Sequence, residues 1–244
     1  MSNSQSDQIY AIEQSNQRFQ FDKKVAAVFP DMIKRSVPGY QDVILNIQQL
    51  AASYTQPNST CYDLGCSLGA ASLAMSHGNQ QQNVKIIAVD NSEAMIKQCS
   101  TNIQSFKHRT PIELLQSDLQ RVTIKKASMV VLNYTLQFIP QTLRTSVLEH
   151  IFNGLLPGGI LVLSEKIIFS DSKINQLMIE LHHQFKRQNG YSELEISQKR
   201  NALETVLIPE TAACHLERLE KVGFSHVSCY QQQLNFASFV AIKR

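Results

Sequence analysis

The strongest constraint on this chain is an alternation of short apolar strands and amphipathic helices running from Thr60 to Leu163. Cys61–Leu64 reads as a strand ending at Gly65, and Ala70–Ser76 as the start of a helix. Val84–Val89 is apolar along most of its length, the pattern of a strand buried on both faces of a parallel sheet. Ser92–Phe106 carries Met95, Ile96, Cys99, Ile103 and Phe106 on one helical face. Ile112–Leu115, Ser128–Leu132 and Ile160–Leu163 read as the third, fourth and fifth strands. Gln141–Leu155 reads as a helix before the last of these, closed by Pro157-Gly158-Gly159. Repeated βα units require a mostly parallel sheet with helices on both faces.

The flanks read differently. Residues 1–59 are expected to form an N-terminal helical segment, with Pro30 ending or kinking a helix over Phe21–Arg35 and a turn at Pro38-Gly39. Polar helices over Lys173–Lys186 and Leu194–Leu207 form a helical insert, 167–210, expected to cover the mouth of the sheet. A helix over Ala212–Val222 ends at Gly223, and Val227–Gln231 with Phe236–Ile242 reads as a closing hairpin. The expectation is a single αβ domain over 1–244: a Rossmann-like, seven-stranded, mostly parallel sheet with one antiparallel strand in the C-terminal hairpin. A hydrophobic content of 43% and a charged content of 18% suit a packed core. The net charge of +3 is too near balance for a dedicated nucleic-acid binder. No apolar run is long enough to span a membrane, and Met1–Gln20 is too polar for a secretory signal, so a cytoplasmic enzyme is expected. The five cysteines form no C-x-x-C pair, so neither a disulfide framework nor a metal site is expected.

The chemistry concentrates in Asp63-Leu64-Gly65-Cys66-Ser67-Leu68-Gly69, between a strand and a helix. Glycines there allow a sharp turn and close approach of backbone to a ligand. Asp90 ends the second strand, where an acidic residue accepts hydrogen bonds from ribose hydroxyls. Asn91 and Ser92 are available to cap the following helix in its place. Asp118 and Leu119 follow the third strand, where an Asp can accept from an adenine amino group; taken alone, an ordinary turn aspartate explains it better. Asn133 follows the fourth strand and faces the same crevice, and a turn Asn explains it equally well.

These signals in this order resemble the class I S-adenosylmethionine (SAM)-dependent methyltransferase fold, with Ser67 standing where that motif has its middle glycine. A closer resemblance covers the chain from about Phe21 onward, and it is to the carboxy-S-adenosyl-L-methionine synthase family. It is carried by FPDMIKRSVPGY (Phe29–Tyr40), YDLGCSLGAA (Tyr62–Ala71), ASMVVLNYTLQF (Ala127–Phe138), LSEK (Leu163–Lys166) and FKRQNGYSELEISQKRNALE (Phe185–Glu204). The resemblance implies conversion of SAM and prephenate to carboxy-SAM and phenylpyruvate, with carboxy-SAM passing to an enzyme that carboxymethylates tRNA wobble uridine. It implies ligand contacts at Tyr40, Gly65, Cys66, Ser67, Asp90, Asn91, Asp118, Leu119, Asn133 and Arg200. It also implies a homodimer in which Arg200 reaches the neighbouring subunit's site.

Those residue types suit the reaction. Carboxy-SAM carries a new anion beside its sulfonium, and an arginine fork holds a carboxylate well. Arg200 is therefore a candidate catalytic residue, although without the resemblance a solvated helix face would be the simpler account of it. Tyr40, which follows a Pro-Gly turn, is the second, placed to cover the ligand or hydrogen-bond to it, with a buried aromatic whose hydroxyl is satisfied as the alternative. Arg35, Lys166 and Arg187 are candidates to steer a dianionic substrate, each more simply explained as a surface charge. Glu165, His182 and His183 offer no convincing general base, and no histidine accompanies Cys66 in its motif. An ordinary methyltransferase is the main alternative. Asn133-Tyr134-Thr135-Leu136 lacks the prolines of amine methyltransferases, which leaves oxygen and carbon acceptors open. A non-enzymatic tRNA- or SAM-presenting module and an NAD enzyme fit less well.

Overall fold

The computed structural model describes residues 6–11, 19–204 and 206–244. Much of the polar stretch Met1–Gln20, and Thr205 within the expected helix Leu194–Leu207, lie outside them. The sheet is built from β1 (Thr60–Leu64), β2 (Lys85–Asp90), β3 (Ile112–Gln116), β4 (Ala127–Asn133), β5 (Leu155–Ile168), β6 (Glu210–Thr211), β7 (His226–Gln233) and β8 (Phe236–Ile242). Its order is β3-β2-β1-β4-β5-β8-β7, and two-residue β6 pairs with the end of β5 off this path. The first five strands are parallel, and β8 runs antiparallel to both β5 and β7. This is the expected sheet, with short β6 added. The order reverses between β1 and β4, so the ligand-binding crevice of such a sheet opens at their carboxyl ends.

Alternation along the strands divides the core into two layers. Tyr62, Leu64, Val130, Leu132, Leu161 and Leu163 pack with Leu148, Ile151 and Leu219. Their neighbours Cys61, Met129, Val131, Ile160 and Val162 pack on the other face with Val43, Ile47, Ala51 and Met75. The first layer is closed by α5 (Gln141–Gly154) and α8 (Ala212–Val222), the second by α2 (Tyr40–Tyr54) and α3 (Ala70–Gly78). With both faces covered, every residue of β1 is buried. The remaining helices are α1 (Lys23–Ser36), α4 (Glu93–Ser105), α6 (Ser172–Gln188) and α7 (Glu193–Glu204).

Three local expectations are corrected. Pro30 does not end the first helix: α1 runs through it to Ser36, held by buried Val25, Ala26, Val28 and Met32 around the missing donor. Pro157-Gly158-Gly159 does not close α5. The helix stops at Gly154, Leu155 already pairs with Ala127, and the Pro-Gly-Gly segment bulges out of β5 before Ile160 rejoins β4. The helix expected over Leu194–Leu207 ends at Glu204.

One buried charge network ties the elements after β4 together. Arg144 of α5 donates to the carbonyls of Ile139 (2.9 Å), Gln137 (3.1 Å) and Ile208 (2.7 Å), and pairs with Glu210 at 2.5 Å. Arg218 of α8 holds the same carboxylate at 2.6 and 2.9 Å. Burial works to raise the Glu210 carboxyl, but the two guanidinium groups outweigh it and hold it at about 2. Replacing Arg144 with Met leaves a buried carboxylate short of a partner. That change should cost about 3–5 kcal/mol in urea denaturation. Because the folded Glu210 value lies below the ordinary 4.5, its stabilisation is present above that pH and fades toward about 2. The acid limb of the wild-type stability profile should therefore be steeper over that window than the limb of Glu210→Gln.

Candidate active site

The glycine loop is shaped by contacts on both sides. The N–H groups of Gly65 and Cys66 both donate to the Val89 carbonyl at 2.8 Å, binding the loop to the end of β2. Gly65 has φ +81°, and a Cβ there would lie 2.4 Å from Thr135 Oγ1, so both backbone and space require glycine. Ser67 is also left-handed, with φ +49°. That explains the glycine of the general motif at this position and costs a serine about 1–2 kcal/mol. The Ser67 N–H donates to Asp90 Oδ2 at 2.9 Å, an anchor that offsets part of this cost.

Asp90 thus has a structural duty in addition to its expected one. Its Oδ1 accepts from the Ser92 N–H at 2.9 Å, and Ser92 Oγ accepts from Met95 N–H to cap α4. Burial raises the Asp90 carboxyl, and the N–H groups of Ser92, Ser67 and Asn91 counter it. Each carboxylate oxygen keeps a lone pair for a further donor. Asn91 is exposed beside it. The Ser117 N–H reaches the Asp90 carbonyl at 3.0 Å, placing Asp118 and Leu119 next to it. Asp118 Oδ1 caps a short 3-10 turn through the Gln120 N–H, and Leu119 packs partly into the core. Six expected residues, Gly65, Cys66, Ser67, Asp90, Asp118 and Leu119, therefore gather at the ends of three adjacent strands.

Two buried acceptors at the switch point lack donors. Asn133 Oδ1, at the end of β4, and Asp63 Oδ1, on neighbouring β1, have no partner among the described residues. Asp63 Oδ2 accepts from Ser72 Oγ at 2.6 Å. Burial lifts the Asp63 carboxyl to about 6 against the Ser72 hydrogen bonds. Buried acceptors are nearly always satisfied, so this pair points to a donor-bearing ligand. In the sequence Asp63 only opens the motif, and its acidity near the end of an apolar strand is the one signal of a larger role.

Tyr40 opens α2 directly after Gly39, whose φ of +72° is the left-handed backbone that favours glycine. The Tyr40 ring stacks on Tyr134 at 6.2 Å, and Tyr134 meets Phe236 edge-on at 6.0 Å. Burial, with the Asp63 charge, pushes the Tyr40 hydroxyl far up, so it acts as a neutral hydrogen-bonding group and not as a base.

The remaining candidates sort by their partners. Glu165 is fully buried and accepts from the Leu136 and Gln137 N–H groups at 2.9 and 2.8 Å, a structural role that orients the turn after Asn133. His182 Nε2–H donates to the Ser36 carbonyl at 2.8 Å, and burial pushes its ring down to about 2, leaving it neutral. A hydrogen bond with Cys99 and burial push the Cys66 thiol up, which opposes thiolate chemistry. Arg35 does not face the crevice freely: it donates to the Asn189 carbonyl at 2.7 Å, pairs with Asp31 and covers the Tyr191 ring. Arg187 pairs with Glu193 on the surface. Arg200 lies exposed on α7, near enough to His183 and Lys186 to disfavour their protonation. Lys186, which nothing in the local sequence distinguishes from a surface lysine, is buried.

The loop geometry makes a direct test. Gly65→Ala should lose more stability in urea denaturation than the ~1–2 kcal/mol of left-handed backbone alone. Adding Thr135→Ala should return the excess, because it removes the atoms nearest the new Cβ.

Comparison with known proteins agrees with this geometry. A methyltransferase domain model matches residues 62–159. Solved structures share the fold: an O-methyltransferase family protein from Burkholderia thailandensis superposes with a TM-score of 0.65 at 15% identity, covering 91% of this chain and 60% of its own. Magnesium protoporphyrin IX methyltransferase from Synechocystis, solved with bound SAM, gives 0.57 at 15% identity over 97% of this chain and 88% of its own. Much nearer in sequence are proteins named carboxy-S-adenosyl-L-methionine synthase. The one from Trichlorobacter lovleyi is 59% identical over 92% of this chain and 93% of its own length. The one from Pseudoalteromonas translucida is 50% identical over 97% and 98%. Identity at that level, over nearly the whole of both chains and on a methyltransferase fold, shows that this chain belongs to the carboxy-S-adenosyl-L-methionine synthase family.

Proposed function

We propose that the crevice binds SAM and converts it, with prephenate, to carboxy-SAM and phenylpyruvate. The observation that carries the SAM site is the unmatched pair Asp63 Oδ1 and Asn133 Oδ1 beside the glycine loop. In this reading they accept from the methionyl ammonium. Gly65, Cys66 and Ser67 let the backbone approach the ligand, Asp90 and Asn91 hold the ribose, and Asp118 and Leu119 hold the adenine. Tyr40 covers the ligand over the Tyr134 ring. Arg200 pairs with the new carboxylate, reaching it in the neighbouring subunit of a homodimer. Apolar Ile174, Leu177 and Leu194, exposed on α6 and α7, suit such an interface.

The reaction balances without a protein base. Prephenate expels carbon dioxide and hydroxide as it aromatises to phenylpyruvate. The hydroxide takes a proton from the SAM methyl group, which the sulfonium acidifies, and leaves as water. The resulting carbanion bonds to the carbon dioxide. This agrees with the structural duties of Glu165 and His182 and with the neutral Tyr40 hydroxyl. The protein's part is to hold both substrates and exclude bulk water from the reacting carbon. No helix among the described residues is long and apolar enough to cross a membrane, and all five cysteines are free. The reading places the enzyme in the cytoplasm, supplying carboxy-SAM to a tRNA carboxymethyltransferase.

Mass spectrometry of ligand released from the purified protein tests the assignment. An ion heavier than SAM by one carbon dioxide is expected, and incubation with SAM and prephenate should yield phenylpyruvate. Formation of S-adenosylhomocysteine with an added acceptor, and no phenylpyruvate, would return the chain to ordinary methyl transfer. Arg200→Met should weaken carboxy-SAM about tenfold to a hundredfold, the worth of a hydrogen-bonded charge, and leave SAM affinity nearly unchanged.

A further inference from the structure

Two other buried cations among the described residues have a counter-charge. Arg144 has Glu210. Lys199 has Asp7 at 3.4 Å, supported by Ser36 Oγ at 2.9 Å and the Tyr191 hydroxyl at 3.1 Å. Lys186 departs from this pattern. It is only 8% exposed, and none of the ion pairs among the described residues includes it. The charges acting on it come from Lys199, Lys166 and Arg200, all positive. Burial and these neighbours lower it to about 7. A buried ammonium among like charges is a costly arrangement for stability alone.

Its position connects it to the crevice. Lys186 lies one helical turn after His182 and His183, on the same side of α6. The His182 ring meets Phe236 at 5.0 Å, and Phe236 is the cross-strand partner of Lys166. Phe236 leads through Tyr134 to Tyr40, whose hydroxyl feels the Asp63 charge. Lys186 and Lys166 therefore stand at the outer end of an aromatic row whose inner end is the SAM crevice.

We propose that Lys186 and Lys166 form an anion subsite that holds a carboxylate of the dianionic second substrate. The proposal rests on the reaction given under Proposed function and adds the residues that position that substrate. The chemistry indicates which carboxylate is held. A salt bridge to the group that departs as carbon dioxide would stabilise the ground state and oppose its loss. The subsite therefore takes the side-chain keto-acid carboxylate, which survives into phenylpyruvate, and leaves the ring carboxylate toward the SAM methyl.

Lys186→Met tests this, because it removes the charge and keeps the length. The prephenate KM should rise at least about tenfold, as for a lost charge-assisted hydrogen bond, with the SAM KM changed less than about twofold. Lys186→Arg should recover part of the loss. The ligand-free Lys186→Met protein should melt no lower than wild type, because an uncompensated buried charge has gone. An unchanged prephenate KM, an equal rise for SAM, or a lower ligand-free Tm would overturn the subsite. If the wild type itself turns over no prephenate, the reaction assignment fails, and the subsite is read by calorimetric titration with malonate. Malonate binding that wild type shows and Lys186→Met lacks would sustain the subsite; equal binding or none would overturn it.

Discussion

Burial of β1 and β4 on both faces leaves no water to solvate the polar groups at their carboxyl ends, so each must be matched inside the protein or by a ligand. The rest of the site follows from that constraint. The Val89 carbonyl takes two loop N–H groups, Asp90 takes the Ser67 and Ser92 N–H groups, and Glu165 takes those of Leu136 and Gln137. After these pairings Asp63 Oδ1 and Asn133 Oδ1 remain unmatched at the switch point. A rigid apolar platform thus leaves these oxygens fixed in place, and the proposed function gives them the methionyl ammonium as their donor.

Charge is divided along the same line. Acidic groups with open acceptor sites, Asp63 and Asp90, lie within the crevice, where burial raises their carboxyls. The sulfonium and ammonium of SAM suit them. Lys166, Lys186 and Arg200 lie on the end of β5, on α6 and on α7, where the proposed reaction brings its anionic second substrate. The two Arg144–Glu210–Arg218 pairings and the Lys199–Asp7 pair are closed within the protein and tie together segments distant along the chain. Among the described residues Lys186 has no such partner, and in that it resembles the crevice acceptors more than the structural network.

The extent to which the site was legible differs residue by residue. Gly65 and Asp90 were legible because their roles depend on local geometry: a left-handed turn after a strand, and a carboxylate at the end of the next. The weight of Asp63 was hidden, because an aspartate in a strand declares its burial only when the neighbouring strands and α3 are in place. Arg35 read as a possible steering charge, but Asn189, Asp31 and the Tyr191 ring occupy it, and Asn189 and Tyr191 lie far away in the chain. Pro30 and Pro157 read as breaks. Packing carried one helix through its proline, and a bulge absorbed the other.

By itself the sequence determined the alternating sheet, the glycine loop and the acidic strand ends, because each rests on periodicity or on short-range spacing, and its longer segments carried the resemblance to the family. Only the tertiary structure decided which charges are matched. Glu165 and His182 became fixed supports, while Asp63 Oδ1, Asn133 Oδ1 and the charge of Lys186 were left unmatched among the described residues, because burial and pairing depend on residues distant along the chain.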